Sequence, residues 1–494
     1  MSLKTQVKRL VAYAKAYLRL SLRDEIYVTN RVIDLLHLPD CEDDEPFSVP
    51  ELPTPILEDI FALLDGEGAE FDRATLGEKL MDAVCLMPSK FEELFWENYA
   101  VSPQTATAAA YGYAVKSDYV KQSAIAKNLK WRSENGRLEI TINLSKPEKN
   151  NKDLQKQLAV QSTSYPKCTI CRENEGFERA GFSRRNMRTI SLKLGGEDWF
   201  WQYSPYAYFN EHGIAISVEH TPMVLDAGTV EKLFDFVERF PHYFLGNNAP
   251  LPRVGGSILM HNHYQGGGTV LPMQKAGTRF AISHKEYPAV SAGVVDWYNS
   301  AIRLEGEREA VTALAVAIFT KWKEYENAAL EILPYTGSEA HNTASCIARK
   351  TEKGYLLDLI LRNNRVNERY PDGIFHAHRE YHHIKSESIG LIEAMGLFVL
   401  PARLARQLTL VKAYLTGERA YSEAALPEDM KLFVPMIERL RLRGGYSEEE
   451  AKYALKREVE EVCEHILENT AVFPNTAEGE GAFKAFLSSV GFTA

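Results

Sequence analysis

The sequence predicts an α+β protein with a sheet-bearing centre between helical ends, and three observations carry that prediction. From residue 1 to about 145, segments with helical apolar spacing are cut by Leu38-Pro39-Asp40, Pro46, Pro50, Pro53-Thr54-Pro55 and Met87-Pro88-Ser89. Between about 146 and 400 the pattern changes to aromatic and β-branched runs broken by glycine and proline, among them Trp199-Phe200-Trp201-Gln202-Tyr203 and Gly213-Ile214-Ala215-Ile216-Ser217-Val218. From Pro401 to the end helical periods return.

The first twenty residues, MSLKTQVKRLVAYAKAYLRL, set basic and apolar residues at helical spacing without an uninterrupted apolar core. An amphipathic helix packed within the protein is therefore expected, and an export signal is not. Alternation from Arg137 to Leu144 marks a strand. In the tail, Ser447 with Glu450 three residues later gives a capping-box pattern, and Tyr453, Leu455, Val459, Val462, Cys463 and Ile466 supply an apolar stripe. Arg457-Glu458 and Glu460-Glu461 read as a solvated helix face. Glu393, between Ile392 and Ala394, reads as an exposed helix carboxylate without a catalytic role.

Composition narrows the function classes. A chain of 494 residues, 45% of them apolar, has ample core for two or three domains. The net charge of −10 argues against an extended nucleic-acid surface while leaving room for a local basic pocket around a small anion. Six dispersed cysteines make no disulfide framework, and no stretch approaches the length needed to cross a bilayer. A cytoplasmic protein with neither nucleic acid nor membrane as partner is expected.

Residues 255–268, Gly-Gly-Ser-Ile-Leu-Met-His-Asn-His-Tyr-Gln-Gly-Gly-Gly, carry most of the functional information. In an extended strand His261, His263 and Gln265 share one face, while Ile258, Met260, Asn262 and Tyr264 point the other way. Either imidazole can attack phosphorus at physiological pH, which would divide a transfer between two anions into two half-reactions. Gln265 can donate to a phosphoryl oxygen but cannot supply acid catalysis. Gly266, Gly267 and Gly268 permit close backbone approach, and their N–H groups can line an anion.

Other candidates lie on either side. Cys168-Thr169-Ile170-Cys171 has the spacing of half a tetrahedral metal site. Arg184, Arg185 and Arg188 are candidates for phosphate or for a solvated basic turn, and Asn174 with Glu175 can contact polar groups of a ligand. In the C-terminal half, His376 and His378 would share a strand face with His341 converging on them, as a second metal site or a polar sugar-phosphate pocket. Arg362 and Arg365 can bind phosphate there or balance surface carboxylates.

The stretch from Val254 through Gly267, with the Cys-x-x-Cys-x-Glu-Asn-Glu-Gly block and the late histidine-rich block, closely resembles the bacterial second class of galactose-1-phosphate uridylyltransferases. These enzymes belong to the wider histidine-triad-like nucleotide transferases. The resemblance implies a histidine-triad-like antiparallel core in two related halves, 146–300 with the nucleophile strand and 301–400, between helical regions 1–145 and 401–494. It implies that His263 accepts UMP from UDP-glucose, that Gln265 stabilises the intermediate, and that galactose 1-phosphate then takes UMP, giving UDP-galactose and glucose 1-phosphate. His261 would orient the strand or bind metal, and Asn262 would lie in the substrate site. It favours at least one of the three central arginines at the nucleotide.

The resemblance also implies a zinc site from Cys168, Cys171, His220 and His261, with a reduced thiol pair as the alternative and His212 as the alternative to His220. A second metal at His341, His376 and His378 stays open, no organic cofactor is implied, and a homodimer follows from the resemblance alone. Two further readings share the nucleotide site: a histidine-triad-like hydrolase or phosphorylase, and a nonenzymatic nucleotide-sugar-binding protein. A cupin-like metal motif fails because its glutamate would fall at Gly267 or Gly268.

Overall fold

The computed structural model describes residues 1–145, 165–178, 184–256 and 258–493. Two compact units divide it: Met1–Lys127 with the described part of Lys149–Thr221, and the described parts of Asn128–Glu148 and Pro222–Ala494.

The first unit opens with helices whose starts follow from local chemistry. Ser2 caps Leu3–Tyr17 by accepting from Thr5 N, and proline sits at the start of Thr54–Gly66, Pro88–Tyr99 and Pro103–Lys116, where its missing N–H is harmless. The expected amphipathic first helix packs inward through Leu3, Val7, Leu10, Val11 and Ala14. Three antiparallel strands complete the unit, Ile190–Leu194, Glu197–Tyr203 and Gly213–Ser217, with Trp199 opposite Leu192 and Ser217. The Tyr203 hydroxyl donates to Thr107 O at 2.9 Å, tying the middle strand to the last long helix.

In the second unit eight strands run antiparallel in the order Phe492–Thr493, Thr278–His284, Ser291–Val295, Ala301–Gly306, Gly354–Asn363, Asn342–Thr351, Phe244–Asn247 and His263–Gly267. Helices Ala227–Arg239 and Arg308–Lys323 pack on this sheet. Leu233, Phe234, Val237, Leu314, Ile318 and Trp322 are buried with Ile347 and Leu359 in its core. The strand expected over 137–144 forms as Glu139–Asn143, between Leu129–Arg132 and a parallel partner, Leu397–Pro401. Among the described residues no helix is long and apolar enough to cross a membrane.

The tail folds as helices Arg403–Thr416, Val434–Arg441, Glu448–Asn469 and Ala477–Val490, and the Ser447–Glu450 capping box is present. Three expectations there change. Tyr453 leaves the apolar stripe, 58% exposed, and donates to Glu134. Glu458 and Glu460 are buried, not solvated, because each carboxylate has local donors: Arg439 reaches Glu458, while Arg457, Trp131 Nε1 and Glu134 N reach Glu460. Glu393 is likewise buried, paired with buried Lys385 at 2.9 Å.

The sheet of the second unit encloses one carboxylate completely. Asp358 is 0% exposed and stands in register with Arg303, whose Nε and Nη2 donate to its two oxygens at 2.7 and 3.1 Å. Asp358→Ala leaves a largely buried guanidinium without its counter-charge and should lower stability by about 3–5 kcal/mol. Denaturant unfolding of the variant checks this; a change below about 1 kcal/mol would show that the pair is dispensable.

Candidate active site

The strand expected from Ile258 begins only at His263 and ends at Gly267. Ile258, Leu259 and Met260 form a connection instead, with Leu259 O accepting from Met223 N at 2.9 Å and Met260 64% exposed. Ser257 of the same motif lies outside the described residues. Gly266 and Gly267 stand opposite Leu245 and Phe244 in the ladder, and a Cβ on Gly266 would lie 2.1 Å from Phe244 O. Gly266 therefore lets two backbones approach within the sheet, a role different from the anion-lining turn expected of it.

His263 and Gln265 share a strand face by the period of two, and His261 lies just before the strand. The His263 ring is 5% exposed and its Nδ1 lies 2.8 Å from His261 O. A carbonyl only accepts, so Nδ1 carries the proton and the lone pair falls on Nε2. Burial brings the pKa of this imidazole down to about 4, so the ring is neutral at physiological pH. Gln265 is part exposed, whereas Asn262 is 5% exposed with its Oδ1 unpartnered.

The cysteine block folds as a tight turn. Cys168 and Cys171 sulfurs are 3.5 Å apart, and His220 Nδ1 lies 3.4 Å from the Cys171 sulfur. The Cys171 sulfur beside it lowers the Cys168 thiol to about 7 against the opposing effect of burial. Within the first unit the ligand atoms of Cys168, Cys171 and His220 all lie within 4.8 Å of one another. Two thiols and an imidazole are three of the four donors of a structural zinc site, and bond lengths of about 2.3 Å to sulfur and 2.1 Å to nitrogen place tetrahedral ligands roughly 3.5–3.8 Å apart. The residues present fit zinc. His220 fills the position for which His212 was the alternative; His212 is buried and stacked on Tyr208.

Several substrate candidates have structural partners. Asn174 Nδ2 donates to Cys168 O and Cys171 O at 2.9 and 2.8 Å, so its amide braces the cysteine turn. Arg185 Nε and Arg188 Nη2 donate to the two oxygens of Asp82 at 3.1 and 3.0 Å, and Arg188 also holds Leu86 O. They are neither free phosphate forks nor a solvated turn. Arg184 interacts with the buried Tyr119 hydroxyl. Arg365 donates to Glu331 O. Arg362 is 1% exposed, with both Nη atoms on Ile389 O at 3.1 Å; burial brings its guanidinium down to about 10 against the opposing effect of Glu393.

The late histidines are not gathered in one ligand group. His341 is held by Asn364 Oδ1 and Thr336 Oγ1, at 2.7 and 2.8 Å. His376 and His378 lie in a loop, not a strand, with His378 stacked on Tyr370 at 4.1 Å between centroids. Proline and glycine at 371 and 373 break the extended pattern there. Sequence reasoning missed Asp82, Lys385 and the Asn247-Asn248 pair, none of which stands in a local motif. The last had a faint signal, two amides one glycine after the apolar run Tyr243–Leu245.

A largely antiparallel α+β protein with helical ends, a neutral buried histidine and a group of two cysteines and a histidine has the architecture of the histidine-triad-like class. Family models for galactose-1-phosphate uridyl transferase match here, the N-terminal domain over residues 19–222 and the C-terminal domain over 231–423. Galactose-1-phosphate uridylyltransferase 1 of Streptococcus pneumoniae serotype 4 is 42% identical over 480 residues, covering 95% of each chain. The galactose-1-phosphate uridylyltransferase of Halalkalibacterium halodurans is 40% identical over 99% of each chain. That of Clostridium acetobutylicum is 40% identical over 98% of this chain and 99% of its own. The chain belongs to the galactose-1-phosphate uridylyltransferase family. Among solved structures, yeast Ap4A phosphorylase Apa2 aligns at a TM-score of 0.32 and 9% identity over 59% of this chain and 89% of its own, too remote to bear on fold or function.

The zinc assignment has a direct check. Cys171→Ser should strip most metal from the purified protein, whereas Cys346→Ser, a buried thiol outside the group, should not. Elemental analysis distinguishes them, and equal zinc in both variants would contradict the assignment.

Proposed function

We propose that this enzyme transfers UMP from UDP-glucose to galactose 1-phosphate through a uridylyl-His263 intermediate, releasing glucose 1-phosphate and then UDP-galactose. The supporting observation is the tautomer of His263: Nδ1–H committed to His261 O leaves a neutral Nε2 lone pair. In the first half-reaction Nε2 forms a bond to the α-phosphorus as the bond to the bridging oxygen breaks, and glucose 1-phosphate leaves with that electron pair. In the second, a phosphate oxygen of galactose 1-phosphate attacks the same phosphorus and the imidazole departs.

Both leaving group and acceptor are phosphate anions, so neither half-reaction needs a strong acid or base. Gln265, on the His263 face of the strand, suits the role of amide donor to the phosphoryl oxygens. An amide has no proton to give a leaving group, which favours transfer to a second anion over discharge to water. Zinc held by Cys168, Cys171 and His220 would brace the cysteine turn. Six dispersed cysteines that make no disulfide framework favour a cytoplasmic setting.

His263→Ala should form no covalent adduct with UDP-glucose while still binding it, and the native chain should gain one UMP by intact mass and lose it to galactose 1-phosphate as UDP-galactose. A normal adduct in the variant would refute the nucleophile. Gln265→Ala should slow adduct formation by roughly 2–4 kcal/mol of barrier, about two to three orders of magnitude, measured in a single turnover. An unchanged rate would remove Gln265 from the transfer step.

A further inference from the structure

We infer that Asn248 is a positioning residue for uridylyl transfer, locking the Ile389–Glu393 turn onto the back of the strand pair that presents His263 and Gln265; the inference rests on the transfer reading above. Strand Phe244–Asn247, the partner of the nucleophile strand, ends in two buried amides. Asn247 is committed to the sheet: its Oδ1 accepts from Cys346 N at 2.8 Å and its Nδ2 donates to Asn248 O at 2.9 Å. Asn248, 1% exposed, reaches out of the sheet and accepts from Leu391 N at 2.9 Å through Oδ1. That N–H opens the short helix Leu391–Ala394, so it has no intrahelical acceptor and would otherwise be buried unpaired.

The bond places the Leu391 side chain against the nucleophile's neighbour. A Cβ on Gly246 would lie 2.8 Å from Leu391 Cδ2 and 2.8 Å from Cys346 O, so glycine is what lets the leucine sit on this backbone. Gly246 is the register partner of Gln265. On its other side the Asn248 amide faces Gly256, whose added Cβ would be 2.9 Å from Nδ2, five residues ahead of His261. One carboxamide thus touches both the approach to the histidines and the turn behind Gln265.

The turn itself is firmly held. Arg362 grips Ile389 O with both Nη atoms, Gly390 N donates to Glu393 Oε2 at 3.2 Å, and Lys385 pairs with Glu393 at 2.9 Å. A rigid block joined by Asn248 to a strand pair fixes that pair against sideways drift. Small misplacements of a nucleophile cost large factors in rate while altering substrate affinity little.

The experiment is a single-turnover measurement of UMP-adduct formation from UDP-glucose in Asn248→Ala, Leu391→Ala and the double variant. Each rate is referred to the sites that finally become modified, and UDP-glucose affinity is measured alongside. Asn248→Ala and Leu391→Ala should each slow adduct formation by about 10- to 100-fold with affinity within about threefold, and the double variant should match the slower single one, because both cut the same link. Multiplicative effects would show that the two residues act separately, and native rates among correctly folded sites would show a merely structural contact; either result overturns the positioning role. If Asn248→Ala does not fold, Leu391→Ala alone decides, since it has no polar group to offer substrate. A native chain that forms no adduct would instead overturn the transfer reading itself.

Discussion

A buried imidazole can serve as a nucleophile only if its proton has a fixed place, and here the His261 carbonyl, 2.8 Å from His263 Nδ1, supplies it. With that acceptor in place burial becomes useful, because it suppresses the charged form and leaves Nε2 unprotonated across the physiological range. Without it the proton could sit on either nitrogen, and the Nε2–H tautomer would present N–H to the phosphorus. The bond spans two residues of one chain, so its geometry depends on the backbone at His261. Tautomer and nucleophilicity therefore meet at a single peptide.

Close backbone packing surrounds that peptide. Gly266 lies where a Cβ would strike Phe244 O, and Gly246 lies where one would strike both Leu391 and Cys346 O. Each strand of the pair thus has a position that an added Cβ would not fit. Buried ion pairs hold the parts further out. Arg303 with Asp358 crosses adjacent strands, and Lys385 with Glu393 closes the turn behind Gln265. Pairs of this kind add little net stability over apolar replacements, but once present each partner obliges the other to stay.

The sequence made the fold class legible because the governing signals are local: proline at helix starts, alternation at Glu139–Asn143, and a capping box at Ser447 and Glu450. The nucleophile motif was legible for the same reason, since a strand with period two puts His263 and Gln265 on one face whatever surrounds it. What stayed hidden depends on partners far along the chain. Nothing near Arg185 and Arg188 announces Asp82, about a hundred residues earlier, so forks that look ready for phosphate turn out to have a carboxylate. Glu458 and Glu460 look like surface charges until Arg439, Trp131 and the Glu134 amide close over them. The His376-Ala377-His378 alternation mimics a strand, but it runs through a loop fixed by bonds to its own backbone.

The central claim is chemical: Nε2 of His263 bears the uridylyl group. Peptide mapping of the UDP-glucose-treated protein, joined to phosphorus NMR of protein carrying nitrogen-15 histidine, reads both the residue and the ring nitrogen. The hydrogen bond from Nδ1 to the His261 carbonyl predicts a phosphorus–nitrogen bond at Nε2 of His263. A group on Nδ1, on His261 or on any other residue would contradict it.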